Sequence, residues 1–303
     1  MSSKTRIIDN ADHWSVTPIR QLMHPPALIP SETTLEEAVN QLQNQQAHCL
    51  LVQNQSGGLL GMFTEEVILE KVIGQNTRGS EPVAQFVEKN FFSIHQDSSM
   101  AKVIDVMGLR RLRYLPLVDD QGLPRGLFSI RGLINYMASK ISLVNGGEKT
   151  RVEGSSNRAF GDLQSAITEV LNLPISFALS SRGYKKVVQL SKGELVQAAL
   201  KKLRGSGNLA ALVLDGSKLV GLCRVRDIPF KFLHNNEFNI PVQQMMINLP
   251  QTVVGHESLG YGIQQMSQAG VMFLHYKNTD EADSLISEIG LISYLYDHIY
   301  EDQ

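Results

Sequence analysis

Four times along the chain, a run of apolar residues is followed by a polar turn and a second apolar strand. The clearest copy is Arg113 to Gly132, RYLPLVDDQGLPRGLFSIRG, in which Tyr114 to Val118 and Gly126 to Phe128 read as strands. Its Asp-Asp-Gln-Gly turn has residues that tolerate the left-handed backbone of a tight reversal. The other copies start at His48, Ala210 and Val271 and run to Glu65, Ile228 and Tyr294. In each, the second strand is apolar-Gly-apolar, and the third residue after the glycine is Thr64, Ser129, Arg224 or Ser293.

A short helix is predicted before each copy, with apolar residues on one face. The stripes are Leu35, Val39 and Leu42; Met100, Ile104 and Met107; Leu195, Ala199 and Leu203; and Leu259, Ile263 and Met266. Thr34 with Glu37 and Ser191 with Glu194 have capping-box spacing, while Ser99 and Ser258 stand as simple caps. Thr64 and Ser293 read as caps of the closing helices. Strand, helix and closing helix together give four β-α-β-β-α units, an α/β class of small mixed sheets flanked by helices.

The units fall at about 16–75, 80–143, 174–236 and 240–300. A polar arm precedes the first, and the Gly/Ser-rich, charged stretch 146–158 reads as a linker between residues 1–145 and 159–303. The second half opens on an amphipathic helix carrying Leu163, Ile167 and Leu171.

A chain 43% hydrophobic and 19% charged has the composition of an ordinary globular protein. A net charge of -2 supplies no electrostatic ground for nucleic acid or an anionic membrane as partner. The first residues lack an apolar leader, and no apolar run reaches membrane-spanning length. The two cysteines, Cys49 and Cys223, sit in predicted buried strands of different units, the pattern of reduced, packed thiols; a cytoplasmic location is expected. The histidines show no metal-ligand spacing. Gly205 to Ala210 matches a dinucleotide fingerprint in letters, but it follows a helix and precedes a strand, the reverse of what that motif needs. With no nucleophile elbow, P-loop or paired catalytic carboxylates, the chain reads as non-enzymatic.

The openings PIRQLM, PVAQFV and PVQQMM, the strand RYLPLVDD and the endings GLLGMFTEEV, GLPRGLFSIRGL, KLVGLCRVRDI and SEIGLISYLYD resemble tandem CBS domains, paired into Bateman modules. The resemblance spans about Pro18 to Ile299. It implies two pairs packed sheet against sheet about pseudo-twofold axes, with clefts that in many members hold adenine nucleotides. Four repeats in one chain are also similar to the energy-sensing γ subunits of adenylate-regulated kinases, a likeness of repeat count and length.

The family's ligand motif is Gly-apolar-x-Thr/Ser-x-x-Asp, in which a hydroxyl and a helix N-terminus face phosphate and the carboxylate accepts ribose hydroxyls. Here Gly61 and Thr64 are followed by Val67 at the acidic position, and Gly126 and Ser129 by Gly132. Gly221 and Asp227 flank Arg224, and Gly290 and Ser293 precede Tyr296. The resemblance makes Arg224, Arg226 and Asp227 of the third unit, and Arg113, Ser129 and Arg131 of the second, the candidate ligand residues, with Thr64 in the first. The alternative for Arg224 and Arg226 is pairing with Asp227 or other acids, and for Arg110 and Arg111 a solvated helix end.

The expected protein is a regulatory sensor of AMP, ADP or ATP with no required cofactor; the alternative is a scaffold with ligand-free clefts. Family pairs commonly associate through their helices, and Ile68, Leu69 and Val72, with Ile134, Tyr136 and Met137, are more apolar surface than one core uses. That predicts a homodimer of compact discs, unless both faces are absorbed inside one chain.

Overall fold

The computed structural model describes residues 19–44, 48–141, 169–181, 185–230, 239–277 and 283–300. The expected arm, the 146–158 linker and residues 160–168 of the helix expected after it lie outside these; of that helix, 169–171 are helical.

Among the described residues the strands form four three-stranded sheets. They are β1 Leu28–Pro30, β2 Cys49–Gln53 and β3 Leu59–Thr64; β4 Ile94–His95, β5 Tyr114–Val118 and β6 Pro124–Ser129; β7 Val188–Ser191, β8 Ala210–Asp215 and β9 Lys218–Arg224; and β10 Thr252–Val254, β11 Phe273–Lys277 and β12 Ser284–Ser287. In every sheet the first two strands are parallel and the last two antiparallel. The parallel pairs are bridged by helices α1 Leu35–Asn44, α3 Met100–Arg110, α5 Val196–Ser206 and α6 Leu259–Ala269. Three units close on a helix: α2 Glu65–Val67, which widens into a π-helix over Ile68–Val72, α4 Ile130–Lys140 and α7 Glu288–Tyr300. The third continues from β9 into a 3-10 turn, Val225–Asp227.

Most caps lie where their spacing puts them. Thr34 and Glu37 form the reciprocal box, and Ser99 and Ser258 accept from the backbone N–H of Lys102 and Tyr261. The third unit differs. Ser191 lies in β7, the helix begins at Val196, and Leu195 is its N-cap, 40% exposed; the buried stripe is Val196, Ala199, Leu200 and Leu203.

The fourth unit corrects the register. Phe273 pairs with Ser287 as Cys49 does with Thr64, Tyr114 with Ser129 and Ala210 with Arg224. Ser287 is therefore the hydroxyl in register and caps α7 through the Gly290 N–H at 3.2 Å. Gly290 and Ser293 lie inside α7, and the Ser293 hydroxyl, buried, finds no partner among the described residues. The apolar-Gly-apolar letters there are the first turn of a helix.

The true motif glycines have a packing reason. A Cβ on Gly61 would stand 2.7 Å from the Glu88 carbonyl oxygen, and one on Gly221 2.7 Å from that of Ile247. Residues that open one unit in sequence thus lie across the last strand of its neighbour: Met62 exchanges backbone bonds with Glu88, and Leu222 with Ile247. The same openings cap the neighbours' helices. Leu35 N–H donates to the Glu81 carbonyl and Val196 N–H to that of Ile240; Leu259 N–H donates to Leu173. Units one and two, and units three and four, are tied in this reciprocal way.

The strands of a pair are apolar on both faces because both are covered. Leu50 and Val52 of β2 face helices, whereas Cys49 and Leu51 meet Met62 and Tyr114 between the two sheets. Cys49 and Cys223 are free, buried thiols; burial pushes both upward, Cys223 to about 12.

The helix faces join unlike units. Ile68, Leu69 and Val72 of the first unit share one core with Ala199, Leu200 and Leu203 of the third. Ile134, Tyr136 and Met137 of the second share another with Ile263 and Met266 of the fourth. The apolar surface that suggested a homodimer is absorbed within one chain.

Candidate functional site

Two clefts lie where the four units meet. The larger, about 900 Å³, is lined by Ser129 and Arg131 from the end of β6 and α4, and by Arg224, Arg226 and Asp227 from the end of β9. His24 to Ala27, Gln43, His48, Cys49, Tyr114, Leu127 and Gly270 complete it. The smaller, about 470 Å³, includes Thr64, Glu66, Arg111, Arg113, Lys185 and Ser287. Five of the seven candidates thus share one cleft, and Thr64 and Arg113 lie in the other.

Thr64 and Ser129 both cap helices, accepting from Val67 N–H at 3.3 Å and Gly132 N–H at 3.1 Å. Arg224 and Asp227 form a two-bond pair at 2.5 and 2.8 Å, the alternative arrangement for these residues. Their corner is half-buried: the two side chains keep 23% and 21% of their surface, and Arg226 only 11%.

Two of the remaining arginines, Arg226 and Arg131, reach across the two halves, whereas Arg113 stays within the first. Arg226 approaches Glu65 at 3.7 Å and donates toward the His48 ring, 3.0 Å from Nε2; His48 Nδ1 lies 3.4 Å from the same carboxylate. Arg131 stands 3.3 Å from Glu288 and donates to the Gly270 carbonyl at 2.5 Å. Arg113 pairs with Glu66 at 3.0 Å.

Glu65 and Glu288 each keep 2% of their surface and occupy equivalent places, one residue after the capping hydroxyl. Their titration differs. Burial pushes Glu65 up, but its hydrogen bond with His48 and the charges of Arg226, His48 and Arg113 outweigh it, leaving it below the usual carboxylate value. Burial pushes Glu288 up, and Arg131 and Arg113 only partly recover it. Burial holds His48 below its ordinary value, favouring the neutral ring. For Arg113, burial alone would lower the pKa, yet Glu66 and its neighbours raise it.

Spacing alone had not singled out His48, Glu65, Glu288 or Arg111. His48 precedes β2 as Arg113 precedes β5, so the register it shares with a candidate arginine was the available signal. Arg111, expected at a solvated helix end, lines the smaller cleft 3.6 Å from Asp297, while Arg110 lies 4.3 Å over the Phe92 ring.

These strand-to-helix corners, one per unit around two clefts, define an α/β fold of four repeated units. Residues 19–74 and 83–139 match the CBS domain family. The chain is a CBS-domain protein with four β-α-β-β-α units.

It is similar to protein MJ1225 of Methanocaldococcus jannaschii, described as a candidate archaeal homolog of g-AMPK. Their folds agree with a TM-score of 0.70 over 92% of this chain and 99% of that one, at 15% identity. An Arabidopsis thaliana CBS domain-containing protein, CBSCBSPB5, is 23% identical over 96% of this chain and 55% of its own length. An uncharacterized 33.4 kDa protein from a ribosomal RNA operon of Thermofilum pendens is 26% identical over 65% of this chain and 61% of its own. The chain thus spans about three-fifths or less of these two relatives. No described helix is long and apolar enough to cross a membrane.

Proposed function

We propose that this protein is a non-enzymatic regulatory sensor that binds an adenine nucleotide (AMP, ADP or ATP) between its CBS units. The observation that carries this reading is the larger cleft, where a capped helix N-terminus at Ser129 faces Arg131, Arg224, Arg226 and the carboxylate of Asp227. A helix N-terminus and guanidinium groups suit phosphate, and a carboxylate suits ribose hydroxyls. The likeness to a candidate g-AMPK homolog supports the ligand class. Occupancy acts by differential affinity for two arrangements of the halves, since a ligand shifts an equilibrium only by that difference.

Melting with each nucleotide tests it: saturation at a hundred times the dissociation constant adds about 2.7 kcal/mol. Asp227→Ala weakens adenosine binding about tenfold, the loss expected for a hydrogen bond to a charged group. Unchanged melts with AMP, ADP and ATP at millimolar concentration would remove the sensor reading. A scaffold with ligand-free clefts then takes its place, favoured by one observation: Arg224 and Asp227 already satisfy each other.

A further inference from the structure

Each arginine that lines the larger cleft is already matched by a carboxylate. Arg224 meets Asp227 within its own turn, Arg226 meets Glu65 from the first unit, and Arg131 meets Glu288 from the fourth. Two of these acids are buried behind the wall rather than lining it, each with 2% of its surface exposed. Their placement repeats: each follows the hydroxyl that closes its sheet, in units one and four, and each faces an arginine of the opposite half. The cleft therefore presents hydrogen-bond donors in abundance but little uncompensated positive charge.

We propose that Glu65, Glu288 and Asp227 are built-in counter-anions that set the charge the larger cleft accepts, admitting a ligand with a single phosphate and rejecting a polyphosphate chain. This rests on reading the cleft as a ligand site. A polyphosphate laid along the three arginines brings several negative charges beside carboxylates that cannot withdraw to water, and like charges in a partly dry site repel strongly. A single phosphate takes donors from one arginine while the others keep their partners. Around Glu65 the facing titratable groups are Arg226, Arg113 and the largely neutral His48; around Glu288 they are Arg131, Arg113 and Glu65. Removing one carboxylate thus leaves cations unmatched at the cleft wall.

The test uses inorganic phosphate and tripolyphosphate, which carry no ribose or base, titrated calorimetrically into the wild type, Glu288→Gln and Glu65→Gln. Each glutamine variant is expected to bind tripolyphosphate at least tenfold more tightly than the wild type, with a smaller change for phosphate. Adding Arg131→Ala to Glu288→Gln is expected to cancel the gain. Should the buried variants fail to fold, Asp227→Asn, at a partly open position, is expected to show the same rise and decides the matter. Tripolyphosphate affinities within twofold of the wild type in the folded variants would overturn the inference. Nucleotide binding by the wild type with that result keeps the sensor and loses the counter-anions. A wild type blind to nucleotides, with variants that gain tripolyphosphate, does the reverse.

Discussion

Glu65 and Glu288 stand at matching positions with matching burial, yet their neighbours give them opposite effects on stability. Glu65 is held below its ordinary value of 4.5, so its ionised form stabilises the fold. That contribution is complete above about pH 4.5 and disappears as pH falls through the depressed value. Glu288 is held above 4.5, so its contribution is present at low pH and is lost as pH rises through the raised value. At neutral pH Glu65→Gln is expected to lose about 1.5 to 3 kcal/mol, the scale of a hydrogen bond to a charged group, with the difference closing in acid. Glu288→Gln is expected to match or exceed the wild type at neutral pH. Denaturant melts of both variants from about pH 2 to about pH 8 check the pair of signs. Arg111 offers another residue-level test. It ends α3 at φ 52, where α5 and α6 end on Gly207 and Gly270 at φ 66 and 62. A left-handed non-glycine residue costs about 1 to 2 kcal/mol, so Arg111→Gly is expected to raise the melting temperature despite losing Asp297.

At the scale of elements, the exchanged openings make the motif glycines structural. Gly61→Ala and Gly221→Ala would drive a methyl into the backbone carbonyl of a residue held in place by two backbone hydrogen bonds. Each is expected to cost about 1 to 3 kcal/mol, the range for overpacking. Gly205, near the end of α5, has nothing within 4 Å of its would-be Cβ, so Gly205→Ala is expected to be neutral or to stabilise by about 0.5 to 1 kcal/mol. Thermal melts of the three variants suffice. The four strand-turn-strand units and most of their caps were legible because they depend on neighbours within a few residues. Ser293 was misjudged because glycine between apolar residues reads alike in a strand and in the first turn of a buried helix. Only the pairing of Phe273 with Ser287 separates the two.

Across the whole molecule, the halves share their helix cores, with Leu203 of the third unit packed into the first unit's core. Leu203→Ala, at a fully buried position, is expected to cost about 2 to 5 kcal/mol. Because the core spans both halves, near-ultraviolet dichroism of its buried tyrosines and far-ultraviolet dichroism should move together in one transition. Residues 1–145 alone would bare Ile68, Leu69, Val72, Ile134, Tyr136 and Met137, and are expected to self-associate while the full chain does not do so through those faces. Light scattering of the half and the whole chain separates the cases.

Local spacing by itself determined the repeat, the α/β class and the buried thiols, since periodicity and capping act over one or two turns; the candidates Thr64, Arg113, Ser129, Arg131, Arg224, Arg226 and Asp227 came from the family resemblance. Tertiary structure alone decided that Arg226 meets Glu65 and His48, that Arg131 meets Glu288, and that the apolar helix faces close on each other within one chain. Those partners lie far apart in sequence, and a buried carboxylate reads in the chain like any solvated one. What fixes its charge, and the charge of the cleft beside it, is the dielectric and the cations that packing brings near.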